Sequence, residues 1–402
     1  MSIYTSSNPL DALAVENFRE YLRIPSVHPN ISYDASVAFL RKLAKDIGLQ
    51  FKVYEHFPGK PVVVISWIGQ EPNLPSILLN NHMDVVPASE EVWVHKPFAA
   101  DIDENGDIYG RGAQDMKSGS IQYLEAIRRL KKDGVKTRRT VHVSFMPDEE
   151  IGSDAGMKDF ANSKDFEDLH VGFAMDECFP NQGDVLAVAT GEKATWQFRV
   201  HIPASSGHSS QLIQNTAGEK LHIVLGKFYN HRKEVLDKLL RNNLKQSDVV
   251  SINLTEIHGG VQSNILPSEI VMTFDCRFPI DSNLDDWENT LKSWCKEGGD
   301  DVWIEYLVKN ASAPETKLDS SNPYWVAFED AAKKINLKLR PQRLEGITDI
   351  RHVRSLGIPA IGFSAVYNTP NLEHKDNEFL NVDIFLKGIT IYYNLIPAIA
   401  NA

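Results

Sequence analysis

Cysteine is scarce in this chain: Cys178, Cys276 and Cys295 are the only three in 402 residues. They are too few and too scattered for a disulfide framework or a cysteine zinc finger, and an odd, small number suits a reducing compartment. Positive charge is short as well. Lys and Arg number 42 against 54 Asp and Glu, a net charge of -12. That balance argues against nucleic-acid binding, which needs a basic stripe. It leaves room for a multivalent cation. No apolar run reaches membrane-spanning length, and "MSIYTSSNPLDALAVENFREYLRIPS" has no basic segment leading into an apolar one. No membrane partner is expected, and the reading is cytoplasmic. Repeats and low-complexity tracts are missing too. What is present, 42% hydrophobic and 24% charged residues, suits a globular protein with ample core. The length implies two domains.

The first 190 residues alternate strands and helices. A short apolar strand is predicted at Ile77–Leu79. A helical stripe of Ile121, Leu124, Ile127 and Leu130 runs to Gly134. Val141, Val143 and Phe145 alternate with polar neighbours in a strand that Pro147 stops. A helix is expected from about Ser153, then the strand "HVGFAM". The end of the chain repeats this style, with helical "NPYWVAFEDAAKKIN", the strand "IPAIGFSAV" and the closing helix "NVDIFLKGITIYYNLIPAIA". This succession predicts an α/β domain, a mostly parallel sheet covered by helices. Between the halves the style changes. "TWQFRVHIP", "VVSINLTEI", "EIVMTFDCRF" and "VWIEYLV" read as strands, interleaved with helices around "AGEKLHIVLGKFYNHRKEVLDKLL" and behind Ser282 in "SNLDDWENTLKSWC". The order β-α-β-β-α-β is that of a ferredoxin-like plait. The expectation is a discontinuous domain, 1–190 and 312–402, with a small α+β domain inserted at 191–311.

Acids and histidines recur just past the predicted strand ends, where open α/β sheets bind ligands. His82 and Asp84 follow one strand, Asp148, Glu149 and Glu150 a second, Asp176 and Glu177 a third. Asp115 sits in the Gly-rich turn "YGRGAQDMKSG", and His374 in the loop "NLEHKDNE". Adjacent carboxylates repel and raise each other's pKa, so an acidic triplet at a strand end is either solvated or waiting for a cation. Each element alone reads as ordinary polar surface. Their repeated use of one sheet edge makes a divalent-metal site plausible, most naturally for zinc.

Taken in order, "NNHMDVVP", "YGRGAQDMKSG", "MPDEEIGS", "AMDE", "SSGHSS", "GGVQSNILP", "FDCRF", "GITDIRH" and "LEHKDNE" resemble the dinuclear zinc aminoacylase and carboxypeptidase family over nearly the whole chain. The resemblance implies two zinc ions per subunit. His82, Asp115 and Glu177 would hold one; Glu150, His374 and the same Asp115, now bridging, would hold the other. Two zinc ions, three carboxylates and a bridging hydroxide sum to no net charge. Asp84 would orient His82 through its other ring N–H. Glu149 would be the general base for metal-activated water and then the acid toward the leaving amine. Asp148 keeps a solvated or capping role.

The resemblance further implies a small-molecule N-acyl amino acid substrate and a homodimer formed through the inserted domain, which would also act as a lid. His208 would reach the partner subunit's site to stabilise an oxyanion. Asn264 and Arg277 would contact substrate, and Arg351 would grip its α-carboxylate as a bidentate pair. His352 and Arg354 read as surface residues. Departures from the family pattern fall at Ile350, at Ser118-Gly119 and in "YNTPNLEHKDNEF"; none removes a metal ligand or the base. A phosphate loop is rejected, since "GRGAQDMKSGS" lacks Gly before Lys and Asp115 would repel phosphate. No G-x-S-x-G elbow or H-E-x-x-H helix occurs. Two rivals remain: a di- or carboxypeptidase with the same machinery, and a non-catalytic binding protein, which should have lost a ligand or the base.

Overall fold

The computed structural model describes residues 6–402; the first five residues of the N-terminal stretch lie outside the described residues. The chain folds as two compact units. The first takes the segments up to Thr190, Glu315–Gln342 and Thr348–Ala402. It opens with α1 (Pro9–Leu22), α2 (Asp34–Ile47), β1 (Gln50–Phe57), β2 (Lys60–Trp67), β3 (Ser76–His82), β4 (Asp107–Tyr109), α3 (Lys117–Lys132) and β5 (Val141–Met146). Then follow α4 (Met157–Phe160), α5 (Lys164–Glu167), β6 (Val171–Asp176) and β7 (Val185–Glu192). The second unit, Gly191–Pro314 with Arg343–Ile347, holds β8 (Ala194–Pro203), β9 (Gly207–His208), α6 (Ala217–Asn242), β10 (Ser251–Gly259), β11 (Ile265–Leu266), β12 (Glu269–Phe278), α7 (Leu284–Gly298) and β13 (Trp303–Lys309). The chain returns through α8 (Pro323–Lys334), β14 (Lys338–Leu344), α9 (Ile350–Ser355), β15 (Ala360–Phe363), β16 (Phe379–Asn381) and α10 (Val382–Ala400). The span 191–311 leaves out Arg343–Ile347, which continues β14 into the second unit.

The main sheet has eight strands in the order β1-β2-β5-β3-β6-β15-β7-β14. Its central run β5-β3-β6-β15 is parallel, and β1, β2 and β7 pair antiparallel at the flanks. Central parallel strands are covered on both faces, so they are largely buried. All of β3 and β5 is buried. The polar residues alternating in β5 are therefore not on a wet face. His142 pairs with Ser66 Oγ at 2.8 Å, and Ser144 donates to Asn80 Oδ1 at 2.7 Å.

α3 covers the sheet on one side and packs against α10. Its partner α10, with a mean hydropathy of 1.3 over 19 residues, is long and apolar enough to cross a membrane, contrary to the sequence expectation. Val382, Phe385, Ile389, Tyr392, Leu395 and Ile396 are nonetheless buried in the main core, and Phe18 stacks on Phe385 at 4.6 Å. It is a core helix. The helix expected from Ser153 is reduced to two four-residue turns, α4 and α5. Ser153 itself has φ +68, outside the helical region. Gly69 turns the chain after β2 where a Cβ would run into the backbone of Arg138 and Arg139. An alanine there must push the two connecting segments apart.

The second unit is a four-stranded antiparallel sheet, β10-β12-β8-β13, which numbered within the unit is the 2-3-1-4 order of a ferredoxin-like plait. Trp196, Phe198, Val200 and Ile202 of β8 and Met272, Phe274, Cys276 and Phe278 of β12 form one apolar face under α6 and α7. α6 starts on a capping box of Thr216 and Glu219. α7 is capped by Asn283, whose side chain accepts from the Asp285 and Asp286 amides, rather than by Ser282. Asn283 immediately precedes the first helical residue, which puts its oxygen within reach of those free N–H groups.

Candidate metal centre

The parallel pairing sets the site. β3 and β5 run side by side with His82 opposite Met146, so the segments after them leave the sheet together. One carries His82 and Asp84, the other Asp148 to Glu150. β6 ends at Asp176, next to Glu177, and β15 pairs with it through Gly362. A Cβ at Gly362 would meet the Glu177 carbonyl, so only glycine lets that strand approach so closely. Asp115 comes from the turn before α3, and His374 from the loop before β16, with φ +60.

Asp115 links two histidines. Its Oδ1 lies 3.0 Å from His82 Nε2 and its Oδ2 3.1 Å from His374 Nε2. His82 Nε2 also lies 3.5 Å from Glu177 Oε2, and His374 Nε2 lies 3.1 Å from Glu150 Oε2. Glu149 joins the His82 and Glu177 donors in a group with metal-ligand spacing; His82, Asp115 and Glu150 form a second. The Glu150 Oε1 atom is buried with no hydrogen-bond partner among the described residues.

Electrostatics describes a site that collects positive charge. Burial pushes the carboxyl pKa of Glu149 and of Glu177 well up, with Glu177 acting further on the first and Asp115 on the second. Burial opposes charging of His82, yet Glu177, Asp115 and Asp84 hold its pKa well above the ordinary value. Asp115 and Glu150 raise His374 to about 10. Burial works against the Asp115 carboxylate, but His374 and His82 keep its pKa well below the usual range. Protons on the two imidazoles thus sit between carboxylates where a cation would. The donor set of two imidazoles and four carboxylates fits zinc or a similar borderline divalent ion.

Asp84 is fully buried. Its carbonyl lies 2.9 Å from His82 Nδ1 and its Oδ1 3.5 Å away, while Oδ2 accepts the Glu150 N–H at 3.1 Å and meets His28 Nε2 at 3.0 Å. It therefore ties the His82 ring to the Glu150 backbone. Asp148 is a buried cap, not a solvated acid: its Oδ2 accepts the Ala155 N–H at 3.0 Å. Arg351 is buried and directs Nη1 to the Thr348 carbonyl at 2.7 Å and Nη2 to the Gly152 carbonyl at 3.2 Å. Arg354 is buried against the Ala360 carbonyl and His352 is half-buried, so neither is a surface residue; the short α9 turns them inward against the sheet.

In the second unit, the β9–β11 ribbon pairs His208 with Ile265, and the Asn264 carbonyl accepts the Ser209 N–H at 3.1 Å. This brings His208 and Asn264 together on an exposed ribbon. Arg277 lies on the sheet face opposite the core, half-buried rather than free. Asp275 holds it through two bonds of 2.8 and 3.0 Å, and it donates to Thr195 Oγ1.

Sequence reasoning missed several residues here. Glu378 is fully buried and accepts from Arg111 and three backbone amides; its only signal was an acid four places past His374. His28, behind Asp84, carried none. Asp349 is also buried and shares the Asn80 amide, at 3.4 Å, with Asp176, at 3.2 Å, an acid the strand-end pattern had already marked. Burial, with the Asp176 charge added, pushes Asp349 up to about 7.

Two imidazoles sharing one carboxylate at the carboxyl edge of a parallel sheet are an arrangement suited to divalent metal, and the relatives make the class a metal-dependent hydrolase. The sequence profile of Peptidase family M20/M25/M40 matches residues 78–398. The chain is 44% identical to Aminoacylase-1 of Mus musculus over 389 residues, 96% of this chain and 95% of that protein. It is 39% identical to Aminoacylase-1 of Dictyostelium discoideum, covering 96% and 97%. The structure resembles an M20 family metallo-carboxypeptidase, Sso-CP2 of Sulfolobus solfataricus, with a TM-score of 0.78 at 19% identity over 96% of this chain and 99% of that one. This chain belongs to Peptidase family M20/M25/M40.

Proposed function

We propose that this enzyme hydrolyses N-acyl-L-amino acids to a carboxylate and a free L-amino acid, at a centre of two zinc ions per subunit. The observation that carries the reading is the divided Asp115 carboxylate, one oxygen toward each histidine at 3.0 and 3.1 Å. His82, Asp115 and Glu177 would hold one ion; Asp115, Glu150 and His374 would hold the other. The high identity to Aminoacylase-1 proteins supports the substrate class.

When bound, the ions supply Lewis-acid activation of water and of the scissile carbonyl. Glu149 accepts a proton from the attacking water at a carboxyl oxygen. It then delivers that proton to the amide nitrogen as the C–N bond breaks. Asp84 keeps the His82 ring oriented. Arg351, once released from the Gly152 carbonyl, pairs with the substrate α-carboxylate, while Asn264 and Arg277 contact the rest of the substrate.

N-acetyl-L-methionine and a methionine-containing dipeptide, each assayed with the zinc-loaded chain, separate the reading from its rival. The expected result is two zinc ions per chain and a higher kcat/KM for the N-acetyl compound. Faster turnover of the dipeptide would mean a dipeptidase; zinc without turnover of either would mean a binding protein.

The second unit is proposed as a lid and a dimerisation surface, with His208 serving the partner's site and the dimer working in the cytoplasm. Exposed Leu212, Ile257 and Val261 on this unit suit a contact with a second copy, and all three cysteines are free and buried. Hybrids of His208→Ala and Glu149→Gln subunits are expected to regain activity that neither parent has. Inactive hybrids, once their formation is confirmed by native mass spectrometry, contradict action in trans.

A further inference from the structure

Asp115 Oδ2 and His374 Nε2 lie 3.1 Å apart although their loops are far apart in sequence. His374 is 58% exposed, and among the described residues its Nε2 meets only Asp115 and Glu150. Side-chain packing therefore does not place the ring. The backbone beneath it must.

That backbone is held by one buried ion pair. Glu378 Oε2 accepts from Arg111 Nη1 at 2.8 Å and from the Gly112 N–H at 3.1 Å. Its Oε1 accepts from the Gln114 N–H at 2.6 Å and the Asp115 N–H at 3.3 Å. All four partners are donors, which only an acceptor-only carboxylate satisfies at once. Arg111 Nη1 also donates to the Lys375 carbonyl at 3.0 Å, next to His374. Gln114 sews the same two loops together: its Nε2 donates to the Pro370 and Phe379 carbonyls, and its Oε1 accepts from the Leu372 N–H. Trp93 lies under the Arg111 guanidinium at 5.2 Å and donates to Asp376 Oδ1 at 3.1 Å. None of these side chains is among the metal-facing groups, yet together they set the distance between Asp115 Oδ2 and His374 Nε2.

We propose that Glu378, acting through Arg111, is the positioning residue that gives the His374 side of the centre its metal affinity. The inference rests on the two-ion reading above. Gln at position 378 keeps the shape but turns one acceptor into a donor aimed at other donors, which forces the loops apart.

The test is a Co(II) titration of metal-stripped full-length chain, read by visible absorption and calorimetry. Wild type should bind two ions. Glu378→Gln should bind one at wild-type affinity and the other 10–100-fold more weakly, the usual cost of losing an outer partner of a metal ligand. Gln114→Met cuts three bonds between the loops but leaves the Glu378 carboxylate; it should show the same selective loss and stands in if Glu378→Gln does not fold. Gly69→Ala, which strains a turn remote from these loops, should lower the thermal midpoint and leave both affinities unchanged. Unchanged affinities in the position 378 and 114 variants, or an equal loss in Gly69→Ala, overturn the role of Glu378. A wild type that binds fewer than two ions overturns the two-ion reading itself, whatever the variants do.

Discussion

Glu149→Gln is expected to lower kcat by about 10²–10⁴-fold, the range for a general acid–base residue, while metal content stays at the wild-type value. The two halves of this result separate a proton carrier from a ligand. Glu149 lies within metal-ligand spacing of His82 and Glu177, so geometry alone permits either role. A ligand lost to an amide would lower affinity and kcat together. A proton carrier lost to an amide lowers kcat alone, because glutamine preserves the shape but cannot take up a proton at working pH. Metal analysis beside steady-state kinetics decides. Wild-type kcat with full metal content would remove Glu149 from the chemistry.

Asp115→Ala is expected to abolish both activity and the stabilisation that zinc confers. Among the described residues Asp115 is the one side chain paired with both histidines, so its loss would open both proposed ion sites. Ligand binding to the folded state alone contributes about 4 kcal/mol at a thousandfold excess over Kd. A zinc-loaded wild type should therefore melt well above its metal-stripped form, and the variant should melt at one temperature with or without zinc. An alanine variant that kept a zinc-dependent rise in melting temperature would show that the ions do not depend on a shared carboxylate.

The predicted elements and the observed ones agree where a local pattern is sufficient. The stripe of Ile121, Leu124, Ile127 and Leu130 became α3. The alternation in β8 and β12 became one apolar face of the second unit. Agreement fails where the deciding contact is distant or lies within one residue. Ser282 and Asn283 are both competent caps, and backbone position rather than residue type chose Asn283. Arg354 looks like a surface cation, yet it is buried because α9 turns it onto the Ala360 carbonyl. The short loop after Pro147 carries helix-compatible residues, but the buried Asp148 caps the Ala155 amide and no long helix forms.

The donor atoms of the candidate centre were legible as residue types: histidines and acids placed just after apolar strands have few other reasons to accumulate there. Their distances were not. Glu378, Arg111 and His28 gave almost no local signal, because a residue that positions another acts through a backbone amide or carbonyl that any sequence would supply. The amino-acid pattern alone determined the layered α/β architecture, the inserted plait and the chemistry of the donor groups, since periodicity and side-chain type are properties of short segments. Tertiary structure decided that one carboxylate faces two histidines, and that a buried ion pair joins the loops bearing Asp115 and His374. Those facts depend on strand register and on contacts between segments separated by more than 250 positions, where no local rule reaches.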